Sequence, residues 1–485
     1  LKISENKFLR ILDTFQADEL AEFRKFVSSP FVASGRNYLP ILNEIIRQKS
    51  LKRNEISLEE LHKKLYPGKR FSAQTLKNRF SELFRIAEEY LIHKSIENNV
   101  IEREKILLNA LIERNLHKFF ESTYKKVLAK FEDIPDDDRK FIDFVEIQRI
   151  YLGHLMMTNK FELYFPEYYE NSIYQTCLSF ISLFEFGMEF RQQDYLNRKY
   201  DFNIVPEILK RINFEEFARN SSYKNSPVFR LTLMYNHLYK CYENLENEND
   251  YFEARKIFKE LKPKLSDDIK LKILMMSIFY CTHKQNQGIR KYRVELLNLY
   301  KEKLEEGFTQ DFSNPTYPLN NFRDHVLIGI ELNELDWVKY FIEEYSKYLP
   351  DSTRDDEIRI SRSKIDMHTS DFQKSLEHLK DIKPSNFIHY LDVSTLKLCN
   401  YYELGLYEES YSEIDKFKHY IRNHKEMPKV HKTYASNFLK IYSMLLKAKT
   451  NPKYGDAELI RIQIKSTGFM NKAGWAMKKL LELKE

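Results

Sequence analysis

Glycine is scarce in this chain: 11 in 485 residues, with none between Gly187 and Gly288. Sheet-rich and nucleotide-binding folds use glycine for turns, bulges and phosphate loops, so the scarcity argues against both and for a chain that is almost all helix. There are four cysteines, Cys177, Cys241, Cys281 and Cys399, each in an apolar, helix-like stretch. They lie too far apart for a disulfide framework or a zinc knuckle. Buried reduced thiols, which suit the cytosol, are expected. No apolar run reaches the ~18 residues a membrane span requires. The opening LKISENKFLRILDTF alternates charge with apolar residues and lacks the core of a signal peptide. No Gly-rich phosphate loop, HExxH, G-x-S-x-G or CxxC occurs, so a non-enzymatic protein without metal or cofactor is expected. Cys281 and His283 are two apart and would point to different helix faces. His419, His424 and His431 have no Cys or Asp partner at ligand spacing.

What is present is apolar and charged residues in helical register. Hydrophobic residues make up 42% and charged residues 31%, enough apolar surface for a folded chain. The length predicts several domains or a repeat array. Net charge is +6, and the excess is concentrated early: residues 1–100 hold 18 basic and 13 acidic residues.

Residues 1–99 read as an N-terminal helical domain. Phe8, Leu9, Leu12 and Phe15 share one helical face, as do Leu20, Phe23, Phe26 and Val27. Ser57 with Glu60 forms a capping-box pattern, and Pro67-Gly68 stops that helix. A long helix from Ser72 places Leu76, Phe80, Leu83, Ala87 and Leu91 on one stripe. Residues 100–225 continue as helices. Asp136, Asp137 and Asp138 read as an acidic helix start, where carboxylates meet free N–H groups. SIYQTCLSFISLFEFGMEF (172–190) reads as a packing helix, and RNSSYKNSP (219–227) as a boundary.

From 226 to 450 helix pairs recur. DYFEARKIF (250–258), DWVKYFIEE (336–344), DFQKSLEHL (371–379) and LYEESYSEI (406–414) align with an aromatic second: Tyr251, Trp337, Phe372 and Tyr407. Three residues later stand Ala254, Tyr340, Ser375 and Ser410. Proline closes units at Pro263, Pro350 and Pro384. A period near 34 residues with a helix–turn–helix in each unit marks a solenoid, because one pair cannot bury its apolar face alone. Over roughly 228–447, and above all in ELGLYEESYSEI, with Gly405 at the turn, the chain resembles the tetratricopeptide repeat family. That resemblance implies a scaffold binding partners in a concave groove, and no chemistry. Residues 451–485 would cap the array, NKAGWAMKKLLELKE setting its lysines in water.

The expected fold is therefore all-α: an N-terminal bundle followed by an α-solenoid. The expected function is a cytoplasmic scaffold for a protein or peptide partner, with Asn236, Tyr239, Lys397 and Tyr401 as groove contacts. A nucleic-acid-associated regulator is the alternative. Residues 57–91 form a helix-turn-helix outline whose second helix would offer Gln74, Lys77, Asn78, Ser81 and Arg85 to base edges and phosphates. Lys63, Lys64, Lys69 and Arg70 flank its turn. Residues 49–85 hold 10 basic and 4 acidic residues. The outline loosely resembles the DNA-binding half of bacterial regulators that join a winged helix to tetratricopeptide-like repeats, although no strand-rich wing follows Leu91.

Overall fold

The structure is a computed structural model. It describes all residues except 1–4, 33–35, 51–54, 196–203, 221–222, 310–316, 385, 426, 452–456, 468–469, 471 and 484–485. The fold is all-α. The described residues form 24 α-helices and no strand, with one isolated bridge between Asp136 and Leu265. No helix among them is long and apolar enough to cross a membrane. The chain divides into two compact units. One is Leu1–Gly187 with Tyr200–Asn236 and Pro263–Ser266; the other is Met188–Lys199 with His237–Lys262 and Asp267–Glu485.

The first unit opens with α1 (Lys7–Thr14), α2 (Ala17–Val27), α3 (Leu39–Ser50), α4 (Leu58–Leu65) and α5 (Ala73–Asn98). Their apolar stripes meet in one core from Phe8 to Tyr90. Local chemistry sets the boundaries. Asn6, Ser57 and Ser72 cap α1, α4 and α5 by accepting from backbone N–H groups three residues on. The α5 stripe runs Leu76, Phe80, Leu83, Ala87, but it ends on Tyr90; Leu91 is 40% exposed. Tyr90 is preferred because its ring meets Phe15 and Phe23 edge-on, at 5.5 and 5.2 Å. Asn99 closes α5, and its side chain caps α6 (Val100–Glu113). Next come α7 (His117–Phe131), α8 (Asp138–Met157), α9 (Phe161–Tyr195), α10 (Val205–Leu209), α11 (Phe214–Asn220) and α12 (Pro227–Glu243). Asp137 caps α8 by accepting from Lys140 N at 2.6 Å.

The remaining helices are α13 (Glu248–Leu261), α14 (Asp267–Asn286), α15 (Lys291–Glu305), α16 (Leu319–Glu331), α17 (Leu335–Tyr345), α18 (Asp351–His368), α19 (Phe372–His378), α20 (Phe387–Leu404), α21 (Tyr407–Asn423), α22 (Lys429–Thr450), α23 (Ala457–Ser466) and α24 (Ala473–Glu482). In the second unit α14 packs on α15, α16 on α17, α18 on α19 and α20 on α21; α16 also meets α18, and α18 meets α20.

One turn joins these pairs. Asn333, Ser370 and Gly405 adopt left-handed φ of 58°, 64° and 71°. The next residue's N–H returns to a carbonyl five residues back: Glu334 to Gly329 at 2.9 Å, Asp371 to Asp366 at 2.8 Å, Leu406 to Tyr401 at 2.9 Å. This is the Schellman closure, which satisfies otherwise orphaned helix carbonyls. Asn115 and Asn159 do the same after α6 and α8. The glycine-poor chain thus makes several of its left-handed turns with Asn or Ser.

The turns correct the repeat register. Phe372 and Tyr407 each stand two residues past their turn, but the residue two past Asn333 is Leu335, not Trp337. Val338 then occupies the place of Ser375 and Ser410, and all three are fully buried. Tyr340, aligned there by its distance from Trp337, is 54% exposed. The C-terminal helix differs from expectation too. Lys479 is not in water: it is 5% exposed and paired with Glu403 at 2.6 Å and Glu482 at 2.8 Å.

Candidate partner-binding surfaces

On α20, Lys397 and Tyr401 are half-buried, one helical turn apart on one face. Burial, then Glu413 and Glu409 of α21, raises the Tyr401 hydroxyl above its usual pKa, so it stays a neutral donor. Asn236 and Tyr239, expected as groove contacts, are instead buried, at 4% and 7% exposed. The neighbouring Tyr235, Leu238 and Tyr242 of α12 are buried as well.

In the basic segment, Lys69, Arg70, Gln74, Lys77, Asn78, Ser81 and Arg85 are all exposed. Gln74 donates to Asn78 Oδ1 at 2.9 Å, and Ser81 donates to the Lys77 carbonyl at 3.1 Å. Lys64 is already engaged, paired with Glu44. That carboxylate sits at a pKa of about 2, held down by Arg47 against the cost of burial, with Lys64 and Gln48 adding to the effect. Another helix, α6, follows α5 directly.

A buried polar network ties the first helices of three successive pairs. Asp392 of α20 pairs with Lys364 of α18 at 2.7 Å and with Arg323 of α16. Burial pushes the Asp392 carboxyl up, and Lys364 and Arg323 overcome it to leave the group below its usual range. His389 meets Glu357 at 3.0 Å. The Ser363 and Ser375 hydroxyls lie 2.8 Å apart, and Asn400 donates to Ser375 at 2.8 Å. The only sequence signal was polar spacing on one face: Glu357 and Lys364 seven apart, His389 and Asp392 three apart.

All four cysteines are buried free thiols. Burial raises Cys177 to about 11, and Cys281 and Cys399 to about 12, which leaves them poor nucleophiles. The histidines of 419–431 go to separate neighbours: His419 to Asn423, His424 onto the Tyr420 ring and His431 against Phe387. Among the described residues no three His, Cys, Asp or Glu side chains cluster as metal ligands.

Comparison with known proteins adds nothing to this geometry: no family model matches the chain, and no curated protein or solved structure matches it either.

Proposed function

We propose that the chain is a non-enzymatic scaffold whose paired helices form a tetratricopeptide-like α-solenoid that holds a protein or peptide partner. The observation that supports this most is the recurrence of one joint. The same left-handed turn at Asn333, Ser370 and Gly405 sets a fully buried residue three positions into each following helix. First helices α16, α18 and α20 pack in succession. Units that bury their seams against neighbours are the physical basis of a repeat array. Lys397 and Tyr401 then offer a cation and a neutral hydroxyl to a partner.

The test is affinity purification of the tagged chain from its native host, with parent and Lys397→Glu/Tyr401→Ala compared. A partner enriched with the parent and lost with that variant is expected. No enriched partner, or one held equally by the variant, ends this reading.

A second reading is favoured by one observation. Lys69, Arg70, Lys77 and Arg85 are exposed on and before α5, on a segment where cations outnumber acids. In this reading they contact nucleic acid. Binding to duplex DNA should then fall steeply with salt and vanish on charge reversal at these four positions. Equal binding by the reversed variant, or none by the parent, removes it.

A further inference from the structure

We infer that the crevice between α21 and α22 docks an acidic amphipathic helical segment of a partner protein. The crevice holds about 640 Å³, within the range of pockets that bury a drug-sized ligand, ~300–1,000 Å³. Its walls combine two properties. Lys418 and Arg422 stand one turn apart on α21 with Ile421 beside them; Lys440 stands on α22 next to Leu439, with Met444 one turn on. Ile421, Leu439 and Met444 give it an apolar part, Lys418, Arg422 and Lys440 a cationic one and Ser436 and Ser443 two hydroxyls; among the described residues no carboxylate lines it.

The cations are uncommitted. Other cations in this unit that sit beside apolar packing are ion-paired: Lys364 with Asp392, Lys479 with Glu403, Arg255 with Glu302. Lys418, Arg422 and Lys440 take part in no ion pair among the described residues; the one contact is Arg422 Nε donating to the Lys418 carbonyl at 3.4 Å. A lone exposed lysine is ordinary. Three around apolar side chains define a complement: carboxylates one turn apart flanking large aliphatic side chains, the pattern of an amphipathic helix laid in a groove. A nucleic acid fits less well, because among the described residues no aromatic ring lines the crevice for bases to stack on and phosphates gain nothing from its apolar side chains. The inference is independent of the Lys397 and Tyr401 face of α20.

The experiment is fluorescence anisotropy on the full chain with a labelled peptide of about 15 residues carrying Glu and Leu at i, i+4 spacing. Two comparison probes accompany it: the same peptide with every Leu replaced by Ser, and a single-stranded oligonucleotide. Micromolar binding of the amphipathic peptide is expected. It should weaken tenfold or more in Lys418→Glu/Arg422→Glu/Lys440→Glu, and also in Ile421→Ser/Met444→Ser. It should be unchanged in Lys397→Glu/Tyr401→Ala, so loss of the α20 reading leaves this one standing. Circular dichroism verifies folding, and Arg422→Ala serves as a milder variant with a smaller loss. The inference is overturned if the parent does not bind, if the triple charge variant binds as the parent does, or if the Ser peptide or the oligonucleotide binds as tightly.

Discussion

His389 Nε2 and Glu357 Oε2 stand 3.0 Å apart, and solvent reaches neither residue. The contact ties α20 to α18, and Arg323 of α16 approaches the same carboxylate at 3.9 Å. A carboxyl group buried this deeply is tolerated because its hydrogen-bond partners are in place. Removing one partner of a buried hydrogen bond costs about 1–3 kcal/mol, since the other is left unsatisfied. Glu357→Ala should therefore lower stability by roughly that amount in urea unfolding, and His389→Ala by less. The double variant should cost less than the sum of the two singles. Strict additivity would show that the contact carries no coupling.

The left-handed turns make a second prediction. A residue with a Cβ pays roughly 1–2 kcal/mol to adopt this conformation, and Asn tolerates it better than Ser. Ser370, at φ 64°, is the most strained of the three turns in the second unit. Ser370→Gly should raise stability by about 0.5–1 kcal/mol after the added entropy of the unfolded chain is counted. Gly405→Ala should lower it by about 1 kcal/mol. Denaturant midpoints of the two variants should move in opposite directions.

These turns also show how far the sequence could be read. Helical content was legible because it follows from local rules: few glycines, apolar residues at the 3.6-residue period, and caps such as Ser57 and Asp137. Register was not, because the alignment followed aromatic rings while the backbone follows its turn. Trp337 is a conspicuous ring two residues beyond the true equivalent, Leu335, and Asn333 looks like any polar surface residue. The ties between Arg323, Lys364 and Asp392 were hidden for another reason. They come from three helices, and a charged residue on one helix gives no sign of a partner 28 or 69 residues away. Asn236 and Tyr239 are buried although both carry polar atoms, since residue type alone does not report burial. Lys397 and Tyr401 are half-buried, with Val393 and Leu398 buried beside them, whereas Lys69, Arg70, Lys77 and Arg85 of the basic segment are exposed.

Stability should fall with acid in a window set by a histidine. Burial pushes His325 down to about 3 from the usual 6.5, despite the Asn321 carbonyl that accepts from its Nδ1 at 2.5 Å. Tyr317 donates to Nε2 at 3.1 Å, and Tyr300 stacks on the ring at 3.8 Å, so the neutral form is held in place. A histidine whose folded pKa lies below its unfolded value binds its proton more weakly in the native state. Its contribution is fully present above pH 6.5 and is lost as pH falls toward 3, by up to about 1.4 kcal/mol per pH unit. His154 and His283 shift the same way through burial. Depressed carboxylates such as Glu44 add their own losses only below about 4.5. Between pH 6.5 and 4.5 the decline in stability should therefore be histidine-driven, and His325→Gln should flatten it. An unchanged slope in that variant would refute the assignment.

Gly329 tests how closely α16 and α17 are packed. A Cβ built there would lie 2.4 Å from Val338 Cγ2 and 3.3 Å from the Trp337 ring. Gly329 is helical, so Gly→Ala would by itself gain about 1 kcal/mol of helix propensity. Overpacking a tight contact costs about 1–3 kcal/mol, and here the obstructing atom belongs to Val338, a β-branched side chain with little rotamer freedom. The clash should win, so Gly329→Ala lowers the unfolding midpoint. Val338→Ala removes the obstructing methyl but leaves a cavity when Gly329 is intact. Gly329→Ala/Val338→Ala should then be more stable than the sum of the two single losses implies. A stabilising Gly329→Ala would mean that the two helices separate without cost and that the close approach is not what holds this pair together.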